Sequence, residues 1–120
     1  RIYYIVGEKP VSWLGSSLGD LRRFPEDARR DAGYQLGRVQ QGQMPSDWKP
    51  MTTVGPGVIE IRVHTGLEHR IFYVAKYEEA VYVLHAFEKR TRQTPQPEIA
   101  LARKRLADLV RRRGQKPEGQ

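Results

Sequence analysis

The sequence predicts a single α+β domain over residues 1–113: a small antiparallel sheet, made of a three-stranded C-terminal meander plus an N-terminal strand, covered by an N-terminal helical hairpin and followed by a C-terminal helix. Three observations predict it. Val58–His64 alternates, with Ile59, Ile61 and Val63 on one face and Glu60, Arg62 and His64 on the other, the pattern of a half-buried strand. Ala28, Ala32, Leu36 and Val39 recur every three or four residues, the spacing of a helix with one apolar stripe. Residues 80 to 87 are apolar on both faces, as a central strand covered from both sides must be. A chain of 120 residues can bury one core of useful size, not two.

Taken in order, residues 2 to 6 form a short β-type run closed by Gly7 and Pro10, and they supply the N-terminal strand. Ser16 or Ser17 caps a short helix in which Leu18, Leu21 and Phe24 share one face. Pro25 takes the first position of a second helix, Glu26 and Asp27 suit the positive end of its dipole, and Gly42 ends it. Small residues at Ala28, Ala32 and Gly33 would let that helix approach its neighbours closely. Residues 43 to 57 hold three prolines and read as a connecting loop with an extended piece at residues 51 to 54. Thr65, Gly66 and Leu67 turn Val58–His64 back into a second strand, and residues 81 to 87 form the third. Thr94, Pro95 and Pro97 open a last helix with Ile99, Ala102, Leu106 and Leu109 on its apolar stripe. Residues 114–120 are polar and read as a disordered tail.

Charge narrows the partners. The net charge is +7, and residues 88 to 120 alone carry +6, with ten Lys or Arg against four Asp or Glu. A basic C-terminal third favours polyanions, nucleic acid first, through long-range attraction and counterion release. A solvated helix face with a basic tail would have the same composition. With no cysteine the chain has neither a disulfide nor a thiolate metal site. Its apolar runs are far shorter than the ~20 residues needed to cross a bilayer, so a cytoplasmic protein without a membrane partner is expected.

The residues that could carry chemistry lie on the meander. A three-residue hairpin loop pairs His64 with Glu68 and sets Arg62 opposite Arg70 on one face, where like charges repel unless an anion or a carboxylate intervenes; Glu60 is close enough to neutralise part of the pair. The alternative is two solvated arginines in local ion pairs. The third strand carries His85 and delivers Lys89 and Arg90 just beyond its end, and an imidazole near cations has a pKa suited to proton transfer. A lone histidine in an apolar strand is otherwise a hydrogen-bonded core residue. Phe72, Tyr73 and Phe87 offer rings for stacking on bases, or simply fill the core. Three scattered histidines give no support for a metal site, and no cofactor motif is present.

The string Val83-Leu84-His85-Ala86-Phe87-Glu88-Lys89-Arg90-Thr91-Arg92-Gln93-Thr94-Pro95, followed by a helix near Glu98, resembles the phage-related HigB branch of the RelE/ParE toxin superfamily. Trp13-Leu14-Gly15-Ser16-Ser17, Leu21-Arg22-Arg23-Phe24-Pro25, Lys49-Pro50-Met51, Ile59-Glu60-Ile61-Arg62 and His69-Arg70-Ile71-Phe72-Tyr73 fall in that family's order. The resemblance covers roughly residues 2 to 110. It implies a RelE-like fold and the toxin of a type II toxin–antitoxin system, paired with a helix-turn-helix, HigA-like antitoxin that also contacts promoter DNA. It further implies a ribosome-dependent, metal-independent endoribonuclease that cleaves mRNA by attack of the ribose 2′-hydroxyl on the adjacent phosphate.

Carried over by position, Arg70 matches the arginine that stabilises the transition state, Arg62 a second substrate-facing cation and Lys89 the basic residue after the third strand. Lys49, Tyr73, Phe87, Arg90 and Arg92 are the expected RNA-binding residues. Pro95 stands where RelE toxins have a catalytic tyrosine, which leaves His85, Tyr73 or a cationic side chain as the base, with His85 preferred. Two other readings remain: a ParE-type inhibitor of DNA gyrase that leaves RNA intact, and a phage-related nucleic-acid-binding protein without toxicity.

Overall fold

The computed structural model describes residues 8–115. The first strand expected at residues 2 to 6 lies outside them, as does the tail beyond residue 115. Five strands and three helices follow in the order β1 (Val11–Trp13), α1 (Ser17–Arg22), α2 (Glu26–Gln40), β2 (Trp48–Pro50), β3 (Val58–His64), β4 (Glu68–Val74), β5 (Val81–Glu88) and α3 (Gln96–Gly114).

The expected meander forms the centre of the sheet. Strands β3, β4 and β5 pair antiparallel in sequence, and the hairpin register sets His64 against Glu68 and Arg62 against Arg70. The sheet is nevertheless five-stranded and mixed, in the order β1-β5-β4-β3-β2. Val11–Trp13 pairs parallel with β5, and Trp48–Pro50 pairs antiparallel with β3. These two edges were not foreseen, because three-residue strands carry too little periodicity to stand out from loop. The extended piece expected at residues 51 to 54 therefore sits earlier, and Met51 and Val54 instead tuck a turn into the core.

Pairing between β4 and β5 slips by one residue. Phe72 faces His85 but Tyr73 faces Val83, which leaves Leu84 as the extra residue of a bulge. Leu84 and His85 lie at this irregularity.

Both faces of the sheet are covered. On one, Leu21 of α1, Phe24 of the link and Ala28, Ala32, Leu36 and Val39 of α2 pack on Ile61, Val63, Ile71, Tyr73, Val81 and Val83. On the other, Ile99, Ala102, Leu106 and Leu109 of α3 pack on Val58, Phe72, Val74, Leu84 and Phe87. The helical stripes read from spacing are thus the buried faces, each side chain giving roughly 1.5–3 kcal/mol when fully removed from water. Gly33 is a correction: it lies exposed on the outer side of α2, where an added Cβ would meet nothing within 4 Å, so it mediates no close approach. Capping also differs. Pro25 is the N-cap of α2 rather than its first turn, and the Ser16 hydroxyl donates to Asp20 Oδ2 at 2.8 Å instead of capping α1.

Candidate nucleic-acid interface

The face of the sheet under α3 carries a row of charge. Arg62 and Arg70 are cross-strand partners, and Glu60, buried at 1 % exposure, lies between them: Arg62 Nε donates to its Oε1 at 3.1 Å and Arg70 Nε is 3.8 Å from its Oε2. Arg70 Nη1 also donates to Glu68 Oε1 at 2.8 Å. The interposed carboxylate that the sequence left open is therefore present, and both arginines are already engaged. Arg70 is itself buried, at 6 % exposure, so an incoming phosphate would not reach its guanidinium first.

The chain continues from β5 directly into the accessible cations. Lys89, Arg92 and Lys49 line one groove of about 460 Å³, closed by Pro50, Met51, Thr52 and Thr53 on one side and by Thr94 and Ile99 at the start of α3 on the other. β2 positions Lys49, because its pairing sets Lys49 opposite Glu60. The Lys89 amide donates to Glu68 O at 2.8 Å, which extends the ladder one residue past the strand and fixes where its side chain leaves the sheet. Burial, then the Arg70 guanidinium, push the Lys89 ammonium below the usual lysine range, with Arg62 and Lys49 adding to the effect and Glu60 opposing it. Three of the expected residues thus converge on one polyanion-sized concavity.

Others do not converge there. His85 is buried at 5 % exposure, stacked on Phe87 at 5.0 Å between ring centroids, and its Nε2 lies 2.6 Å from Glu98 Oε1 in the first turn of α3. Its Nδ1 has no partner among the described residues. His85 and Phe87 border a different cleft, shared with His69, Phe24 and Glu88. Arg90 is exposed and bonded to Glu88 at 3.2 Å.

Tyr73 sits on the opposite face of the sheet at 2 % exposure, and burial pushes its hydroxyl up to about 12. It cannot stack on a base or act as one from there, and Phe87, at 8 % exposure, offers little ring surface. Both rings are core residues, the bland alternative for aromatics in a small sheet.

Glu98 and Glu68 were missed as site residues. A carboxylate in the first turn of a helix that returns across a histidine-bearing strand is the signal that would have pointed to Glu98. Among the described residues no group of three or more His, Asp or Glu side chains could hold a metal ion. None of the described helices is long and apolar enough to cross a membrane.

Residues 19–107 match the model of the phage-derived Gp49-like family. The chain belongs to that family. The Gp49-like family is part of the RelE/ParE-like toxin superfamily, so the resemblance read from the β5 string is correct at that level, and the toxin-like family implies an antitoxin partner in general. The matched span runs from α1 to the middle of α3 and so contains the whole meander and all three groove cations. A search of curated proteins gave no match.

Proposed function

We propose that this Gp49-like protein is the toxin of a type II toxin–antitoxin system and an endoribonuclease of the HigB kind, acting on translated mRNA at the ribosome. The observation that carries the reading is the convergence of Lys49, Lys89 and Arg92 on one groove at the end of the meander, backed by the Arg62–Glu60–Arg70 row.

The groove suits a phosphodiester. Lys49 and Arg92 hold the flanking phosphates, and Lys89 stands over the reacting one. The ribose 2′-oxygen bonds to phosphorus while the bond to the 5′-oxygen breaks, so one proton leaves the 2′-hydroxyl and one reaches the departing oxygen. An ammonium held below the usual lysine range by burial and neighbouring cations serves both as charge for the phosphorane and as the proton donor. Arg70 and Arg62 act from behind, maintaining the positive field and holding Lys89 in its shifted state. His85 is buried, bonded through Nε2 to Glu98 and borders the other cleft, so the proton leaving the 2′-hydroxyl passes to water in the groove and His85→Ala should still cut. The chemistry requires no cofactor. A helix-turn-helix, HigA-like antitoxin would lay an acidic segment in the groove and carry the complex to promoter DNA.

The test is RNA end mapping after expression of the wild type, Lys89→Arg, Lys89→Ala and His85→Ala. Wild type leaves breaks within codons bearing a 2′,3′-cyclic phosphate. Lys89→Arg keeps the charge without an easily released proton and should bind RNA yet cut slowly; Lys89→Ala should bind more weakly and not cut. A second reading is favoured by one observation, the neutralisation of Arg62 and Arg70 by Glu60 and Glu68: a ParE-type inhibitor of DNA gyrase on the same fold. Growth arrest with intact mRNA and a DNA-damage response would establish it and dismiss the nuclease.

A further inference from the structure

We infer that the opposite flank of α3 carries a second RNA phosphate site, separate from the Lys49–Lys89–Arg92 groove. It rests on the reading that RNA is the ligand of this protein, but not on cleavage.

Helix α3 sends arginines to both sides of its buried stripe. Arg103 Nε donates to Thr53 O at 2.6 Å, on the side of the first groove. Arg105, two positions on and so about 200° around the helix, leaves on the other side toward β1 and α1. There Gly15, Lys104, Arg105, Asp108, Arg111 and Arg112 bound a second groove of about 540 Å³.

What distinguishes this groove from an ordinary basic surface is that one guanidinium is built into it. Arg105 Nη1 donates to Leu84 O at 2.9 Å, the carbonyl at the β5 bulge, and Nη2 donates to Ser16 Oγ at 3.0 Å. Those bonds spend two of the five guanidinium donors and leave the others fixed in direction. Gly15 makes the arrangement possible. A Cβ there would stand 2.5 Å from Arg105 Nε, and the φ of +55° disfavours any side chain independently. A guanidinium held rigidly in a concavity gives up little entropy on binding a phosphate.

The rest of the lining fits the same ligand. Lys104 and Arg112 are exposed and have no ion pair among the described residues, while Arg111 is bonded to Asp108, the one acid in the groove. No aromatic ring among the described residues lines it, so it offers phosphate contacts without base stacking. The surface is therefore suited to a strand held by its backbone, irrespective of sequence.

The experiment is fluorescence anisotropy of a labelled single-stranded RNA across a salt series, with wild type, Lys104→Ala/Arg112→Ala, Asp108→Asn and Lys89→Ala. Both changed cations are exposed, so circular dichroism and Tm should match the wild type. Loss of two phosphate contacts should lower the slope of log K against log salt by about 1.4, at roughly 0.7 per contact on a single strand. Asp108→Asn, which frees Arg111, should bind more tightly with a steeper slope, and the Lys89→Ala effect should add to that of the double variant. Wild-type affinity and slope in the double variant would overturn the inference. RNA cleavage is scored separately, by end mapping, so failure of the nuclease reading and failure of this site appear in different measurements.

Discussion

Arg62 and Arg70 face each other across the β3–β4 ladder, and the carboxylate of Glu60 lies between them, 3.1 Å from one guanidinium and 3.8 Å from the other. Repulsion between the two is thus relieved inside the protein rather than by a ligand. The free positive charge is displaced outward, to Lys49, Lys89 and Arg92 around the groove.

Glu60→Gln should be among the more damaging single changes in the domain. It keeps the shape but leaves two cross-strand guanidinium groups without their shared anion, one of them buried. Removal of one partner from a buried ion pair costs about 3–5 kcal/mol, and the partial exposure of Arg62 places this case near 3 kcal/mol. Urea denaturation should show a lower midpoint at unchanged slope; a change under about 0.5 kcal/mol would mean the carboxylate does not hold the pair.

Lys89 should destabilise the fold at neutral pH. Its folded pKa is depressed, so the unfolded chain binds the proton more tightly and the charged form is what burial penalises. Stability should rise with pH from the folded value up to the ordinary 10.5. Lys89→Met should therefore be more stable than wild type near pH 7, with the gap closing as the solution becomes alkaline, and equal stabilities throughout would refute it.

Two histidines should tilt the pH curve in opposite directions. His64 is held by Asp47 at 2.6 Å and Glu68 at 2.7 Å, and these bonds, Asp47 first, raise its pKa above 6.5. That contribution is fully present below about pH 6.5 and fades as pH climbs through the raised value; being exposed, it is worth below about 1 kcal/mol. His69 is buried against Phe24, with ring centroids 4.2 Å apart, and burial lowers its pKa. Its neutral form is the folded one, so stability falls as pH drops from 6.5 toward that lowered value. His64→Gln should flatten the alkaline side and His69→Leu the acid side, as urea midpoints would record.

Gly15→Ala should loosen α3 from β5. A side chain at φ +55° costs roughly 1–2 kcal/mol by itself, and here it also displaces the guanidinium that holds the Leu84 carbonyl. The expected outcome is a Tm several degrees lower, with hydrogen exchange faster at the β5 bulge than in α2.

Adding Glu98→Gln to the series tests His85. Its imidazole is oriented through a 2.6 Å contact to that carboxylate, so the amide should change the His85 ring resonances while leaving the distant His64 resonances in place. Unchanged His85 resonances would remove Glu98 from any positioning role.

Local repetition made several parts of the fold legible along the chain: the 3.6-residue stripes of α2 and α3, the alternation of β3, the doubly covered β5, and the hairpin register that sets Arg62 against Arg70. Periodicity is a property of neighbours along the chain, and burial rewards it wherever the partner surface comes from. The β5 string also sufficed to place the chain in its superfamily. The rest came from folding in three dimensions. The parallel pairing of Val11–Trp13, the bulge at Leu84, the placing of Tyr73 on the far face and the meeting of Lys49 with Lys89 and Arg92 each join residues distant in sequence. Charge can be counted along a chain, but whether a cation is spent on a buried carboxylate or left facing a groove depends on which side chains the fold brings within reach.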